Sequence, residues 1–66
     1  MEGSRIERWI TVTDTERIHI RDCGDFVTLL REEREMGRWR RVEDTLIPKL
    51  VLGEVIDTLK LIDADR

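Results

Sequence analysis

Apolar and polar residues alternate along the first half of the chain, as they do in strands that bury only one face. In the segment RIHIRD, Ile18 and Ile20 fall on one side, while Arg17, His19 and Arg21 fall on the other. The outward side of this predicted strand therefore carries two guanidiniums and an imidazole. It is either an ordinary solvated face or a surface for an anionic ligand.

Turn-forming residues divide the first two thirds of the chain into four such segments. The turns fall at Asp14 to Glu16, Cys23 to Asp25, and Met36 to Gly37, where Gly24 is free to take a positive φ. The predicted strands are 5–13, 17–22, 26–34 and 38–43. Because the connections are short, the sequence predicts an antiparallel meander.

Apolar residues recur at helical spacing in the last third of the chain. We predict one helix over 45–62, capped by Asp44 or Thr45, with Pro48 tolerated in the first turn. An alternative keeps Thr45 to Leu52 as a strand and begins the helix at Gly53; we prefer the longer helix. The predicted fold is α+β, a single domain with four antiparallel strands followed by one C-terminal helix.

The apolar arc of this helix is too wide for one sheet to cover. We therefore expect the helix to pack against its own sheet and against a second chain. A chain of 66 residues buries only about 60% of its unfolded surface, and a lone cysteine excludes an internal disulfide. Both points favour a homodimer. The predicted interface residues are Leu52, Val55, Ile56, Leu59 and Ile62.

Composition limits the possible functions. The net charge is −3, which argues against a generic polybasic binder, but seven arginines fall between Arg17 and Arg41. One His and one Cys cannot supply a structural zinc site, and no cofactor is expected. The chain has no phosphate-binding loop and no nucleophile–base pattern, so we expect no enzyme. Asn, Gln and Tyr are absent, which resembles a heat-adapted composition and removes the usual readers of adenine.

The cluster Arg38-Trp39-Arg40-Arg41 carries the most specific chemical signal. Single-stranded nucleic acid is bound by arginines that neutralise phosphates and by aromatic rings on which bases stack. The competing interpretation is an indole that covers the sheet edge in cation–π contact with arginine. The candidate nucleic-acid-binding residues are Trp9, Arg17, His19, Arg21, Arg31, Arg38, Trp39, Arg40 and Arg41.

The segment IHIRD, the turn glycine Gly24, the apolar strand ending in Arg31-Glu32, and the turn GRWRR together resemble a known family. This is the small transcriptional-coactivator family of single-stranded DNA-binding proteins, of the positive-cofactor type, to which the Whirly proteins are related. The resemblance covers about forty residues. It implies a four-stranded sheet with a helix, a homodimer, and binding of single-stranded DNA through basic and aromatic side chains on the sheet. Cys23 and Asp25 depart from the family, which has an aromatic residue and lysines in that turn.

Two other functions remain open. The opening segment ITVTDTERIHI is similar to the first hairpin of swapped-hairpin regulators and antitoxins, which bind duplex DNA as dimers, although the Ile-Pro-Lys step that should follow lies far downstream at Ile47 to Lys49. The second alternative is a dimeric adaptor that docks another protein on its apolar helix. Without an apolar run of membrane-spanning length or a signal-peptide pattern, we expect a cytoplasmic, nucleoid-associated protein that binds single-stranded DNA or RNA.

Overall fold

A computed structural model describes residues 6–66 of the chain. Four antiparallel strands form one sheet in the order β1-β2-β3-β4 and are followed by a single helix. The strands are β1 (Glu7–Thr13), β2 (Glu16–Asp22), β3 (Phe26–Glu35) and β4 (Arg38–Pro48). A 3-10 turn over Lys49–Val51 leads into the helix α1 (Leu52–Ala64). The predicted four-stranded meander with a C-terminal helix is confirmed; the predicted strand start at residue 5 lies outside the described residues.

Tight turns fix the register of the meander. Gly24 has φ +95°, and its amide donates a hydrogen bond to Asp22 Oδ1 at 3.0 Å. Met36 and Gly37 join β3 to β4 with φ values of 54° and 77°. Positive φ at both central residues of a two-residue loop is the type I′ turn, whose twist matches that of the flanking strands.

The predicted boundary between the fourth strand and the helix is wrong. Instead of a helix over 45–62, β4 continues to Pro48, and Thr45, Leu46 and Ile47 pair with β3. A helix here would have left the first half of β3 as an edge strand, although that half is apolar on both faces. Pairing gives β3 a neighbour on both sides along its length, so backbone hydrogen bonding overrides the helical spacing. The alternative that began the helix at Gly53 is close to the structure.

The register sorts the side chains onto two faces, because paired residues point to the same side of a sheet. We call one side the indole face; it carries Trp9, Arg17, His19, Glu32 and Trp39. The other is the aliphatic face; it carries Ile10, Ile18, Ile20, Val27, Leu29 and Ile47. A bulge in β4 at Val42, between the pairs Arg31–Glu43 and Glu32–Arg41, keeps the two sets in phase along the sheet.

The aliphatic face is left uncovered by the chain's own helix. Among residues 6–66 only Leu30 and His19 are buried, and no residue of α1 is buried. The chain measures 40 × 38 × 17 Å, so it is flat. The expectation that the helix packs on its own sheet is therefore wrong: α1 leaves the sheet at Leu52, which lines an open cleft with Ile20 and Val27 at one end of the aliphatic face. No helix of the described chain has the length and apolar character needed to cross a bilayer.

Candidate nucleic-acid interface

A stack of aromatic and cationic groups occupies the centre of the indole face. Trp9 and His19 are paired across β1 and β2, and their rings stack with centroids 4.3 Å apart and planes 7° from parallel. The guanidinium of Arg17 lies 5.8 Å from the centroid of Trp9 and 4.1 Å from that of Trp39. The two indoles, which are far apart in sequence, thus meet around one arginine.

Two carboxylates contact the charged members of this stack. Glu32 accepts a hydrogen bond from Arg17 Nε at 2.6 Å, and its other oxygen lies 4.0 Å from His19 Nδ1. Glu7 Oε2 lies 2.7 Å from His19 Nε2. Sequence analysis missed both glutamates. The only signal for Glu32 is its place opposite Arg17, which becomes visible once the register of β2 and β3 is known.

His19 is not the solvated imidazole that the alternation predicts. It is 6% exposed, because Trp9 lies across its ring, Glu7 contacts Nε2 at 2.7 Å and Glu32 lies 4.0 Å from Nδ1. A buried imidazole in such contacts supports Trp9 and has no free edge for a phosphate. Arg17 is likewise engaged by Glu32 and the two indoles, so both residues position the rings.

The indoles themselves remain accessible. Trp9 is 49% exposed and Trp39 is 36% exposed, although His19 and Arg17 contact the ring of Trp9 and Arg17 contacts that of Trp39. Trp39 makes a cation–π contact, as the competing interpretation expects, but its partner is Arg17 on β2 and not one of the flanking arginines. Each indole still offers surface on which a planar group can stack.

Three arginines on the indole face have weak or no ion pairs. Arg21 and Arg34 form none with any residue among 6–66, and Arg41 lies 3.8 Å from Asp44. The register places Arg21 toward the Gly24 turn, whereas Arg34 and Arg41 lie near Trp39. These exposed guanidiniums flank the stack at both ends.

The other three predicted arginines lie elsewhere. Arg31, Arg38 and Arg40 point to the opposite side of the sheet, because successive residues of a strand alternate and the bulge restores that phase. Arg40 pairs with Glu35 at 3.2 Å. The nine candidate residues therefore form two sets, not one surface.

Arg31 is surrounded by acidic groups on the aliphatic side. It contacts Glu43 at 2.9 Å, Glu16 at 3.2 Å and Glu33 at 3.3 Å. The hydrogen bond that Arg31 Nε donates to Glu43 raises the pKa of Arg31 above its ordinary value; desolvation acts in the opposite direction, and the three negative charges add to the rise. With three carboxylates around it, Arg31 offers no net positive charge to a phosphate.

The predicted interface residues of α1 form one uncovered apolar stripe. Leu52 and Val55 are half-buried, whereas Ile56, Leu59 and Ile62 are exposed. Their spacing of three and four residues places all five on one side of the helix. Within residues 6–66 no group of three or more His, Cys, Asp or Glu side chains is placed to hold a metal ion.

Comparison of the chain with protein-family models, with curated proteins and with solved structures finds no match.

Proposed function

We propose that this chain is a homodimeric, intracellular protein that binds single-stranded DNA with little sequence specificity and catalyses no reaction. The observation that carries the proposal is the pair of half-exposed indoles held around Arg17 on the indole face. Stacking on aromatic rings together with phosphate neutralisation by arginine is how single strands are bound without sequence readout. The same chemistry is what the resemblance to single-stranded DNA-binding coactivators implies.

The groups on the indole face have different roles in the proposed binding. Trp9 and Trp39 supply the stacking surfaces, and Arg17 and His19 hold them in place from within. Phosphates meet the guanidiniums flanking the stack, which are Arg21, Arg34 and Arg41. Because a ring accepts any base, this arrangement predicts weak preference among sequences.

The surface area of the protomer supports the second part of the proposal, the homodimer. The chain exposes 5759 Å², whereas a compact chain of 7.9 kDa exposes about 4,400 Å². Its radius of gyration is 13.8 Å, against about 11 Å for a compact domain of 66 residues. The excess of about 1,400 Å² exceeds the share of one partner in an ordinary protein interface, about 800 Å².

The two uncovered apolar surfaces indicate how the copies fit together. Beyond Leu52, the stripe of α1 is not covered by its own sheet, and no helix covers the aliphatic face. In a two-fold dimer each helix can cover the aliphatic face of the other copy, so that one contact, made twice, buries both surfaces. The indole faces then remain outward on the two sides of the dimer.

A titration of tryptophan emission with an unstructured oligo-dT strand tests the nucleic-acid part directly. Trp9 and Trp39 are the only indoles in the chain, so the emission reports on the indole face alone. We expect quenching on binding, and affinity that falls as salt rises. With three phosphate contacts per protomer, log K against log salt has a slope of about −2. Unchanged emission and unchanged oligonucleotide anisotropy at low salt would exclude the proposal. The same titration with oligo-rU measures any preference between DNA and RNA.

One competing function rests on a specific observation. The exposed apolar stripe of α1 would also suit an adaptor that docks another protein. A stable monomer that ignores oligonucleotides would favour that role. The swapped-hairpin alternative is tested by adding a palindromic duplex to the same titration, because such a regulator would bind the duplex in preference to the single strand.

A further inference from the structure

The β3–β4 hairpin extends beyond the rest of the sheet. β2 begins at Glu16, opposite Glu33, and the amide of Arg34 donates a hydrogen bond to the carbonyl of Thr15 at 2.8 Å, so the segment from Glu35 to Arg38 extends past β2 and its turn. The tip of this hairpin is the turn Met36-Gly37.

Met36 is an unfavourable residue for the position it occupies. Its φ of 54° is left-handed, a conformation that glycine, asparagine and aspartate adopt far more easily than a residue with an unbranched apolar side chain. Its side chain is also 99% exposed, so it gains nothing from burial. The folding of the chain therefore does not account for a methionine at the tip, and such conflicts with local preference are expected at functional positions.

The surroundings of Met36 indicate what the side chain contacts. A shallow open cleft at the tip is lined by Glu35, Met36, Arg38, Trp39 and Arg40. It combines an indole and a thioether with two guanidiniums. Arg38 forms no ion pair within the described part of the chain, while Arg40 is paired with Glu35. A flat, apolar group bordered by negative charge fits these walls, and a nucleobase with its phosphate has that chemistry.

We propose that the tip is a wedge whose Met36 side chain inserts between two adjacent unpaired bases of a bound strand. Apolar side chains, methionine among them, are used in this way to unstack bases. The polarisable sulfur makes favourable contacts with aromatic rings. Trp39, three residues further on, stacks on the base at one side of the wedge, and Arg38 binds the adjacent phosphate. This inference rests on the proposed function and adds an unstacking role at the hairpin tip.

The test uses the two methionines of the chain, Met1 and Met36. Protein labelled with ¹³C at the methionine methyl groups gives two signals, and oligo-dT of about ten nucleotides is titrated in. A methyl group between two bases lies in their shielding ring currents, so the Met36 signal moves upfield. The Met1 signal serves as the internal reference.

Two variants separate the wedge from the fold. Met36→Asn places a favoured residue in the turn, so it raises Tm by about 4 °C or more while it weakens oligonucleotide binding about fivefold or more. Met36→Leu keeps an apolar side chain and binds within about twofold of the unmodified chain. Opposite effects of one substitution on stability and on binding cannot come from damage to the fold.

The remaining outcomes decide against the wedge. If anisotropy shows binding but the Met36 methyl does not shift, or if Met36→Asn binds as well as the unmodified chain, the wedge is refuted and the proposed function stands. If the unmodified chain does not bind at low salt, both are refuted.

Discussion

At the scale of single residues, two charged side chains of the indole face serve to position the indole rings. Arg17 and His19 are the residues that the alternation marks as outward and cationic. Yet Glu7 and Glu32 hold them, and the two indoles cover them. Their contribution to binding is therefore the orientation of the rings. The arginines available to a ligand are those that the register leaves beside the stack.

Trp39 tests the stacking part of the proposal. We expect Trp39→Ala to weaken binding of single strands by about 1–3 kcal/mol, as the loss of one stacking surface does. The slope of affinity against salt should remain unchanged, because no phosphate contact is removed. The loss of the contact with Arg17 costs about 0.5–1 kcal/mol of stability, measured by urea unfolding. Trp39→Phe, which keeps a ring, serves as the control; a stability loss with intact binding would make the indole purely structural.

Neighbouring arginines on opposite faces test which surface meets the phosphates. Arg41 lies on the indole face and Arg40 on the aliphatic side, one residue away and equally exposed. Arg41→Ala should shallow the salt slope by about 0.7. Arg40→Ala removes the same charge from the same strand and should leave the slope unchanged. Equal effects of the two substitutions would show that binding depends on the net charge of the protein and not on the indole face.

At the scale of elements, α1 gains little stability from packing within its own chain. A helix of 13 residues is marginal in water, and α1 has neither a side-chain N-cap nor a buried residue. Its stability must come from packing of its apolar stripe. The end of β4 also depends on a contact with another element. The apolar spacing that includes Thr45 to Ile47 favours a helix, but these residues pair with β3 and form a strand.

Leu59→Asp should therefore disrupt the dimer, because it places an unpaired charge in the proposed interface. Leu59 is 57% exposed in the single chain, so any loss of structure in this variant must come from the lost contact with the second copy. We expect sedimentation at micromolar concentration to show monomers and circular dichroism to show a loss of helix. Lys60→Asp introduces the same residue one position away, on the polar side of the helix, and should remain dimeric. If both variants behave alike, α1 is not the interface.

At the scale of the whole molecule, the chain is flat and extended. A chain in which only Leu30 and His19 are buried among residues 6–66 has almost no core of its own. In the proposed homodimer, the core forms when the aliphatic face and α1 are covered. Folding and association are then one process, as in obligate dimers.

This coupling predicts that stability depends on concentration. The Tm of the unmodified chain should rise as protein concentration increases, since dimerisation draws the equilibrium toward the folded form. Calorimetry over a hundredfold range of concentration measures the effect. A Tm that does not change with concentration, together with a monomeric mass, would contradict the dimer and leave the exposed aliphatic face unexplained.

Local patterns in the sequence determined the elements of this protein. Period-2 alternation and the turn residues around Gly24 and Gly37 predicted four strands and their antiparallel order, because these depend on neighbours in the chain. The stripe of α1 followed from helical spacing in the same way. The sequence also identified Trp9, Trp39 and the arginine-rich strands as candidates for binding.

The tertiary structure alone decided the relations between distant residues. Whether Thr45 to Pro48 became helix or strand depended on the need of β3 for a second neighbour, which no local pattern contains. Register and one bulge placed Arg40 and Arg41 on opposite faces of the sheet. Register also buried His19 beneath Trp9 and paired Arg17 with Glu32. Each is a contact across strands, and its partners are set by the hydrogen-bonded pairing of the sheet.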